Sequence, residues 1–354
     1  MPTLNYCTNL VRLLIRDRLL SPLAVAYAVT PHCNLNCIYC EDFGARKNHV
    51  QPAPLPLMEA QRLLGIIRRA TGALILTGGE PFLYPEIAPL IRYAKRDLRF
   101  RHITLLTNAV LLEEHREVLP DIDRLMISVD ATTPAHWDES LRAAPGTAQR
   151  ILDNVVAVAG DQRSSRFRLV VNCVITPDTL ARAEQVLNFC KEHRLLFSFS
   201  PQSANNWPHY DLLVSDAYRN FAARLLREKQ QGAPILGSTL YLKRIADFEP
   251  YACYPMLIPR VLPHGALSFP CHPIEREADE HGGLAANLLE AGSWRGALQQ
   301  AVTAYGLPPS TCGSCYQQCY VEPSLMQARP WALLWEYLAY PASRQGHLAT
   351  YAPG

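Results

Sequence analysis

No stretch of this chain is apolar over the length needed to cross a bilayer, and none has the form of a cleaved secretory signal. An excess of charge of either sign is also missing: the net charge is +2, which gives no electrostatic case for nucleic acid. These absences leave a globular protein of a reducing cytoplasm, where thiols stay unpaired. The 354 residues are 49% apolar, enough for one large α/β domain and a smaller one. Cysteine, by contrast, is abundant: there are 11, and all but Cys7 follow residue 30. Cys7 reads as a lone thiol, and Cys173 and Cys190 as buried apolar residues.

The densest group is Cys33, Cys37 and Cys40, directly after an apolar run over residues 23–29 that predicts a strand. A disulfide pattern does not suit an odd number of cysteines without a signal. Thiolates this closely spaced on a loop can point at one metal centre. Three thiolates on a four-iron cube leave one iron open, as catalysis requires. The alternative is a zinc site completed by His32 or a distant cysteine. Iron and sulfide content separates a cluster enzyme from a non-catalytic, Cys-rich zinc protein.

The Cys-x3-Cys-x-aromatic-Cys loop, with Tyr39 as the aromatic, is followed downstream by Thr77-Gly78-Gly79-Glu80-Pro81 at another strand end. In this order the two motifs resemble those of the radical S-adenosylmethionine (SAM) enzymes. The resemblance implies a [4Fe-4S] cluster on Cys33, Cys37 and Cys40 whose open iron chelates SAM. It implies an electron donor of flavodoxin or ferredoxin type, and a 5′-deoxyadenosyl radical that takes hydrogen from a substrate. It also assigns Gly78, Gly79 and Glu80 to the SAM amino group, Tyr39 to the neighbourhood of the adenine, and Ser128 and Asp130 to the ribose hydroxyls. In the residues themselves, the glycines let backbone come close, and Ser128 and Asp130 point the same way by strand alternation. Asn172, inside an apolar strand, must bond either a ligand or the core. Thr107-Asn108 resembles a Thr-Asn-Gly of the family, with Ala109 in place of the glycine. Glu41, Asp42, His209 and Tyr210 are candidates for the substrate side.

Periodicity predicts alternating strands and helices: strands over residues 23–29, 73–76, 102–106, 125–129, 167–175 and 196–200, with helices between them. Helices are expected over residues 58–70, 87–96, 112–119, 136–141, 148–159, 215–231 and 240–248. Another, capped by Asp178, runs to residue 193. Six parallel βαβ units match the partial (β/α)6 barrel of the resembled family, with ligands at the carboxyl ends of the strands. The expected divisions are an N-terminal helical segment 1–22, a barrel 23–235, a smaller Cys-rich auxiliary-cluster domain 236–322 and a helical tail 323–354. Within the first, residues 10–20 predict a helix, capped by Asn9 or Thr8, that packs on the barrel rather than anchoring in a membrane.

From Pro234 onward, Cys253, Cys271, Cys312, Cys315 and Cys319 fall in one region. A Cys-x2-Cys pair with a distant pair makes a four-thiolate site. The arrangement resembles the SPASM or twitch extension, closer to the shorter twitch form with one added [4Fe-4S] cluster. Cys253, Cys271, Cys312 and Cys315 are the expected ligands and Cys319 the spare; a zinc knuckle on the same residues is the alternative. The apolar residues 331–340, between two prolines, predict a short helix that packs on the barrel or closes over a lipophilic substrate. The family's peptide maturases often carry a leader-binding domain, for which the segment before the first strand is too short. The expected substrate is therefore a small or lipophilic natural-product intermediate that is oxidised or rearranged, with ribosomal-peptide maturation as the alternative.

Overall fold

The computed structural model describes residues 2–43, 53–161, 167–204, 207–271, 273–274, 286–309, 312–313 and 315–339. The end of the expected tail helix, Tyr340, and the rest of the tail to residue 354 lie outside them.

Six apolar runs form the strands of one open barrel: β1 (Val25–Ala28), β2 (Ala73–Thr77), β3 (His102–Thr107), β4 (Arg124–Ser128), β5 (Arg168–Ile175) and β6 (Leu196–Pro201). A hairpin of β7 (Ser203–Ala204) and β8 (Trp207–Pro208) follows. A seventh barrel strand, β9 (Arg260–Val261), comes from the Cys-rich region and lies parallel to β1, giving the order β6-β5-β4-β3-β2-β1-β9. Residues 234–236 cover the opposite edge, where Phe197 donates to the Pro234 carbonyl at 2.8 Å and accepts from Leu236 at 2.7 Å. Side chains alternate across the sheet. Leu125, Ile127, Leu169, Val171 and Cys173 are buried, on the face opposite the cavity-lining Arg124, Met126, Asn172 and Val174.

The helices, in order, are α1 (Pro2–Leu14), α2 (Leu57–Ala70), α3 (Ile87–Arg92), α4 (Pro134–Leu141), α5 (Thr147–Asp161), α6 (Leu180–His193), α7 (Tyr210–Leu213), α8 (Asp216–Gln230) and α9 (Thr239–Ala246). They continue with α10 (Leu288–Ala291), α11 (Trp294–Tyr305), α12 (Gln318–Ala328) and α13 (Pro330–Ala339). Four expectations need correction. The helix placed over residues 87–96 is α-helical to Arg92 and then widens into a π turn, Tyr93–Asp97. The helix placed over 112–119 is a 3₁₀ segment, Glu113–Asp121, broken at His115, with Pro120 in its last turn. Thr179, not Asp178, takes the cap position of α6, its hydroxyl bonded to Thr176.

The fourth correction is α1. It starts eight residues earlier than expected and stops at Leu14. Asn9 is no cap; it sits inside the helix, fully buried, and exchanges two 2.8 Å hydrogen bonds with the Ser21 backbone. Asn5 donates to the carbonyls of Pro22 and Ala70, and Arg12 to that of Leu19. These side chains satisfy the backbone of the irregular segment leading into β1, which would otherwise be buried without partners.

The α4–α5 turn rests on Asp138, which is buried and accepts from the backbone N–H of Gly146 at 2.8 Å and of Ala148 at 2.6 Å. Asp138→Ala leaves both donors unmet and is expected to lower unfolding stability by about 1–3 kcal/mol. A urea melt showing an unchanged midpoint would refute this cap.

Candidate active site

The cysteine loop and the Gly-Gly-Glu segment are joined by backbone hydrogen bonds. Val29 donates to Thr77, Gly79 to Thr30 at 2.9 Å and Glu80 to His32 at 2.8 Å, extending the β1–β2 pairing up to the residue before Cys33. The chain that comes close to the glycines is thus the protein's own. A Cβ on Gly79 would lie 2.1 Å from the His32 carbonyl oxygen, and one on Gly78, whose φ is +142°, 2.4 Å from that of Thr30. Only glycine fits either position. On the other side of the loop, Asn36 and Ile38 donate to the carbonyls of Leu141 and Ser140 at the end of α4. The loop therefore caps α4 while being tied to β2.

Glu80 is fully buried. One of its oxygens accepts from the Thr107 hydroxyl at 2.7 Å and the Phe82 N–H at 3.1 Å, the other from the Asn108 N–H at 2.8 Å. Burial pushes its pKa up to about 7 against these three hydrogen bonds. Asn108 in turn donates to Asn34 at 2.7 Å and leans on the Cys33 sulfur at 3.9 Å. Glu80 thus locks the end of β3 to the end of β2 and, through Asn108, to the cysteine loop. Ala109 adopts φ +63°, so the turn keeps a left-handed residue without the glycine.

Asp130 is similarly enclosed. One oxygen accepts from the Val174 N–H at 2.7 Å and the other from the Tyr39 hydroxyl. Burial raises its pKa to about 6. Ser128 and Asn172 stand side by side on β4 and β5, and Asn172 and Tyr39 line the cavity. Glu41 and Asp42 line it too: Glu41 accepts from Ser203, and Asp42 pairs with Arg260 of β9 at 2.9 Å. The structure does not bring His209 and Tyr210 to this wall. His209 caps α7 by accepting from Asp211, and the Tyr210 ring is exposed.

The cavity opens beneath the cysteine loop and has a volume of about 480 Å³. Apolar side chains such as Ile75, Leu106, Met126 and Ile258 make up much of it. Two contributions were not read from the sequence. Arg124 and Thr104 enter from the barrel floor, the only hint being polar residues at the start of apolar strands. The first turn of α12 closes the wall with Gln317, Gln318 and Glu322, and Gln318 accepts from Ser198 of β6 at 3.0 Å. Cys319 also faces the cavity.

The three loop thiols influence one another. Burial and nearby negative groups push Cys33 up to about 11 and Cys37 up to about 12; Cys40 contributes to both shifts. Among the described residues they are neighbours rather than a finished coordination sphere. Soft sulfur donors close enough to raise one another's pKa, and costly to ionise alone, are of the kind that suits a multiply charged iron centre.

The five C-terminal thiols form a second neighbourhood. Cys253 bonds Cys312 through both backbone and side chain and senses Cys271, while Cys315 and Cys319 interact with each other. Cys319 also senses Cys271. Gly313 allows this approach, since a Cβ there would meet the Tyr251 carbonyl oxygen at 1.7 Å. The Tyr251 hydroxyl donates to the Cys315 carbonyl at 2.6 Å.

Comparison with known proteins places this site in context. Residues 27–190 match the family model of the radical SAM superfamily. A probable GTP 3′,8-cyclase of Methanococcus maripaludis is 31% identical over 116 residues, covering 31% of this chain and 37% of that protein. An AdoMet-dependent heme synthase of Methanosarcina barkeri is 29% identical over 176 residues, 49% of this chain and 48% of that one. The chain therefore spans about a third to a half of the length of these curated relatives. Among solved structures, anSMEcpe with bound AdoMet superposes with a TM-score of 0.60 at 14% identity, covering 91% of this chain and 98% of that one. SuiB of Streptococcus suis bound to S-adenosylmethionine gives 0.57 at 19% identity, over 73% of this chain and 63% of that one. These two likenesses concern the fold. With both motifs joined at the carboxyl ends of the strands and the family model matching across them, residues 27–190 form a domain like that of the radical SAM superfamily.

Proposed function

We propose that Cys33, Cys37 and Cys40 hold a [4Fe-4S] cluster and that SAM lies across the carboxyl ends of β2 to β5, above a substrate in the barrel cavity. The observation that carries this reading is the backbone joint between residues 29–32 and 77–80, which sets the cysteine loop over the cavity. When bound, the cluster supplies the electron that cleaves SAM to a hydrogen-abstracting 5′-deoxyadenosyl radical. The chain's residues orient and enclose. Gly78 and Gly79 keep the loop pinned, and Glu80 positions the β3 end that supports Cys33. Asp130 holds Tyr39 over the cavity, and Ser128 and Asn172 offer polar groups to the ribose and carboxylate of SAM. A flavodoxin- or ferredoxin-type donor in a reducing cytoplasm is the matching partner.

The apolar wall favours a small, partly lipophilic substrate, oxidised or rearranged in place. The second reading, a peptide substrate, is favoured by the hairpin β7–β8 beside Glu41 and by fold neighbours solved as SuiB bound to precursor peptide SuiA and anSMEcpe bound to a peptide. For the second thiol neighbourhood we propose an auxiliary [4Fe-4S] cluster on Cys253, Cys271, Cys312 and Cys315, with Cys319 as the spare. The boundaries 23–235, 236–322 and 323–354 remain the proposed divisions, with β9 as a strand that the second unit lends to the first.

Iron content, SAM cleavage and SAM binding test this. Anaerobically reconstituted protein should hold about eight irons per chain. Alanine at Cys33, Cys37 or Cys40 should abolish 5′-deoxyadenosine formation from SAM and dithionite, and a variant working at the parental rate refutes the assignment. Asp130→Ala, which frees Tyr39 and the Val174 N–H, should keep the iron count and weaken SAM binding by about tenfold; an unchanged Kd by equilibrium dialysis refutes the role given to Asp130. The double variant Cys271→Ala/Cys315→Ala should lose about four irons yet still cleave SAM slowly. Full iron in that variant ends the auxiliary-cluster proposal, and loss of the second cluster in Cys319→Ala moves Cys319 into the ligand set.

A further inference from the structure

Two helices expose rows of apolar side chains while burying polar ones. On α1 the polar side chains Asn5, Asn9 and Arg12 point inward to the backbone of residues 19–22 and of Ala70. The opposite face carries Leu4, Val11 and Leu14, continued by Ile15, all exposed, with Leu14 at 83%. Their spacing of seven, three and one residues keeps them in one row. On α13 the only charged side chain, Glu336, is 4% exposed and accepts from the Thr239 N–H at 2.9 Å and the Thr239 hydroxyl at 3.0 Å. Among its described side chains, Trp331, Leu334, Trp335 and Leu338 face outward, with Trp331 at 80%. A helix of a globular protein ordinarily turns its apolar stripe inward; each of these two helices, among its described side chains, also carries an apolar row on its exposed face.

The two rows belong to the same corner of the molecule. Tyr6 of α1 donates to the Met326 carbonyl at 3.0 Å, and Gln327 donates back to Tyr6, at the end of α12 where α13 begins four residues later. The charge around them has one sign. Arg16 and Arg329 are exposed and are the cations available to a partner, while Arg12 is turned to the Leu19 carbonyl and paired with Asp17 at 3.8 Å and Arg18 donates to the Pro309 carbonyl. No Asp or Glu occurs in α1 at all.

We propose that α1 and α13 form a lipid-binding face that seats the enzyme on the surface of an anionic membrane. Aliphatic side chains enter the acyl boundary, the two tryptophans sit at headgroup depth, and the arginines meet lipid phosphates. The face is peripheral: no helix among the described residues is long and apolar enough to cross a membrane. The proposal does not depend on which substrate the barrel takes, because neither helix contributes to the cavity wall.

The test is co-sedimentation of the full-length holoenzyme with vesicles of phosphatidylcholine alone and of phosphatidylcholine with phosphatidylglycerol. Binding should require the anionic lipid and weaken in high salt. Trp331→Ser/Trp335→Ser and Val11→Ser/Leu14→Ser should each lower the partition coefficient by about tenfold or more, with SAM cleavage by the unbound protein unchanged as the check on folding. Quenching of tryptophan fluorescence by brominated lipid tests the unsubstituted protein directly and should be lost at high salt. No binding to anionic vesicles, or both double variants binding like the parent, overturns the proposal. So does a concentration-dependent dimer in sedimentation equilibrium that the same substitutions dissociate, which would assign the face to a second copy of the chain.

Discussion

Everything at the site depends on one short run of backbone hydrogen bonds, in which residues 29–32 continue the parallel pairing of β1 beyond the strand and dock on residues 77–80. Hydrogen bonds between main-chain atoms are indifferent to side-chain identity but strict about distance. That strictness is what makes Gly78 and Gly79 irreplaceable: the carbonyls of Thr30 and His32 occupy the volume of any side chain there. The reactive loop is thereby held by secondary structure rather than by flexible contacts, the firmest support a site can have. Glu80 and Asp130 repeat the device one level out. Each is a buried carboxylate whose oxygens accept hydrogen bonds from neighbouring strand ends, and each has its pKa raised because burial outweighs those bonds.

The mouth of the barrel is consequently a network rather than a set of independent groups. Asn108 passes the order of β3 to Cys33, Tyr39 ties the loop to β4, and Arg260 ties Asp42 to β9. The cavity beneath combines an apolar body with polar points at the floor and along α12. Such a shape selects by size and apolar fit, with a few hydrogen bonds setting orientation.

The barrel was legible in the sequence because its strands are apolar runs bounded by glycine, asparagine and aspartate, and because both motifs end strands. Alternation put Ser128 and Asp130 on one side of their strand, while Asn172 stayed open between ligand and core until its place in the cavity wall was seen. What escaped depended on partners far along the chain. Nothing local says that Asn5 and Asn9 will bond the backbone ahead of β1, so Asn9 reads as a cap of a later helix rather than a buried residue inside this one. The same holds for the wall made by Gln317 and Gln318, since a helix start near cysteines carries no sign of facing a barrel. The carboxylates were found for their chemistry, yet their bonds to Thr107, Asn108 and Val174 need coordinates. His209 shows the reverse error: a reactive residue type after a strand that proves to be a helix cap.

The two residues of β9 have a consequence for how the chain matures. An open parallel barrel has two bare rims, and a bare rim invites the strand of another molecule. Here both rims are covered late: β9 lies along β1, and residues 234–236 lie along β6. During synthesis the strand that launches the cysteine loop therefore waits, unshielded on one side, until the Cys-rich region has emerged. Such distant pairing is slow to form. Whatever orders the segment that carries β9 thereby also seals the first strand of the barrel.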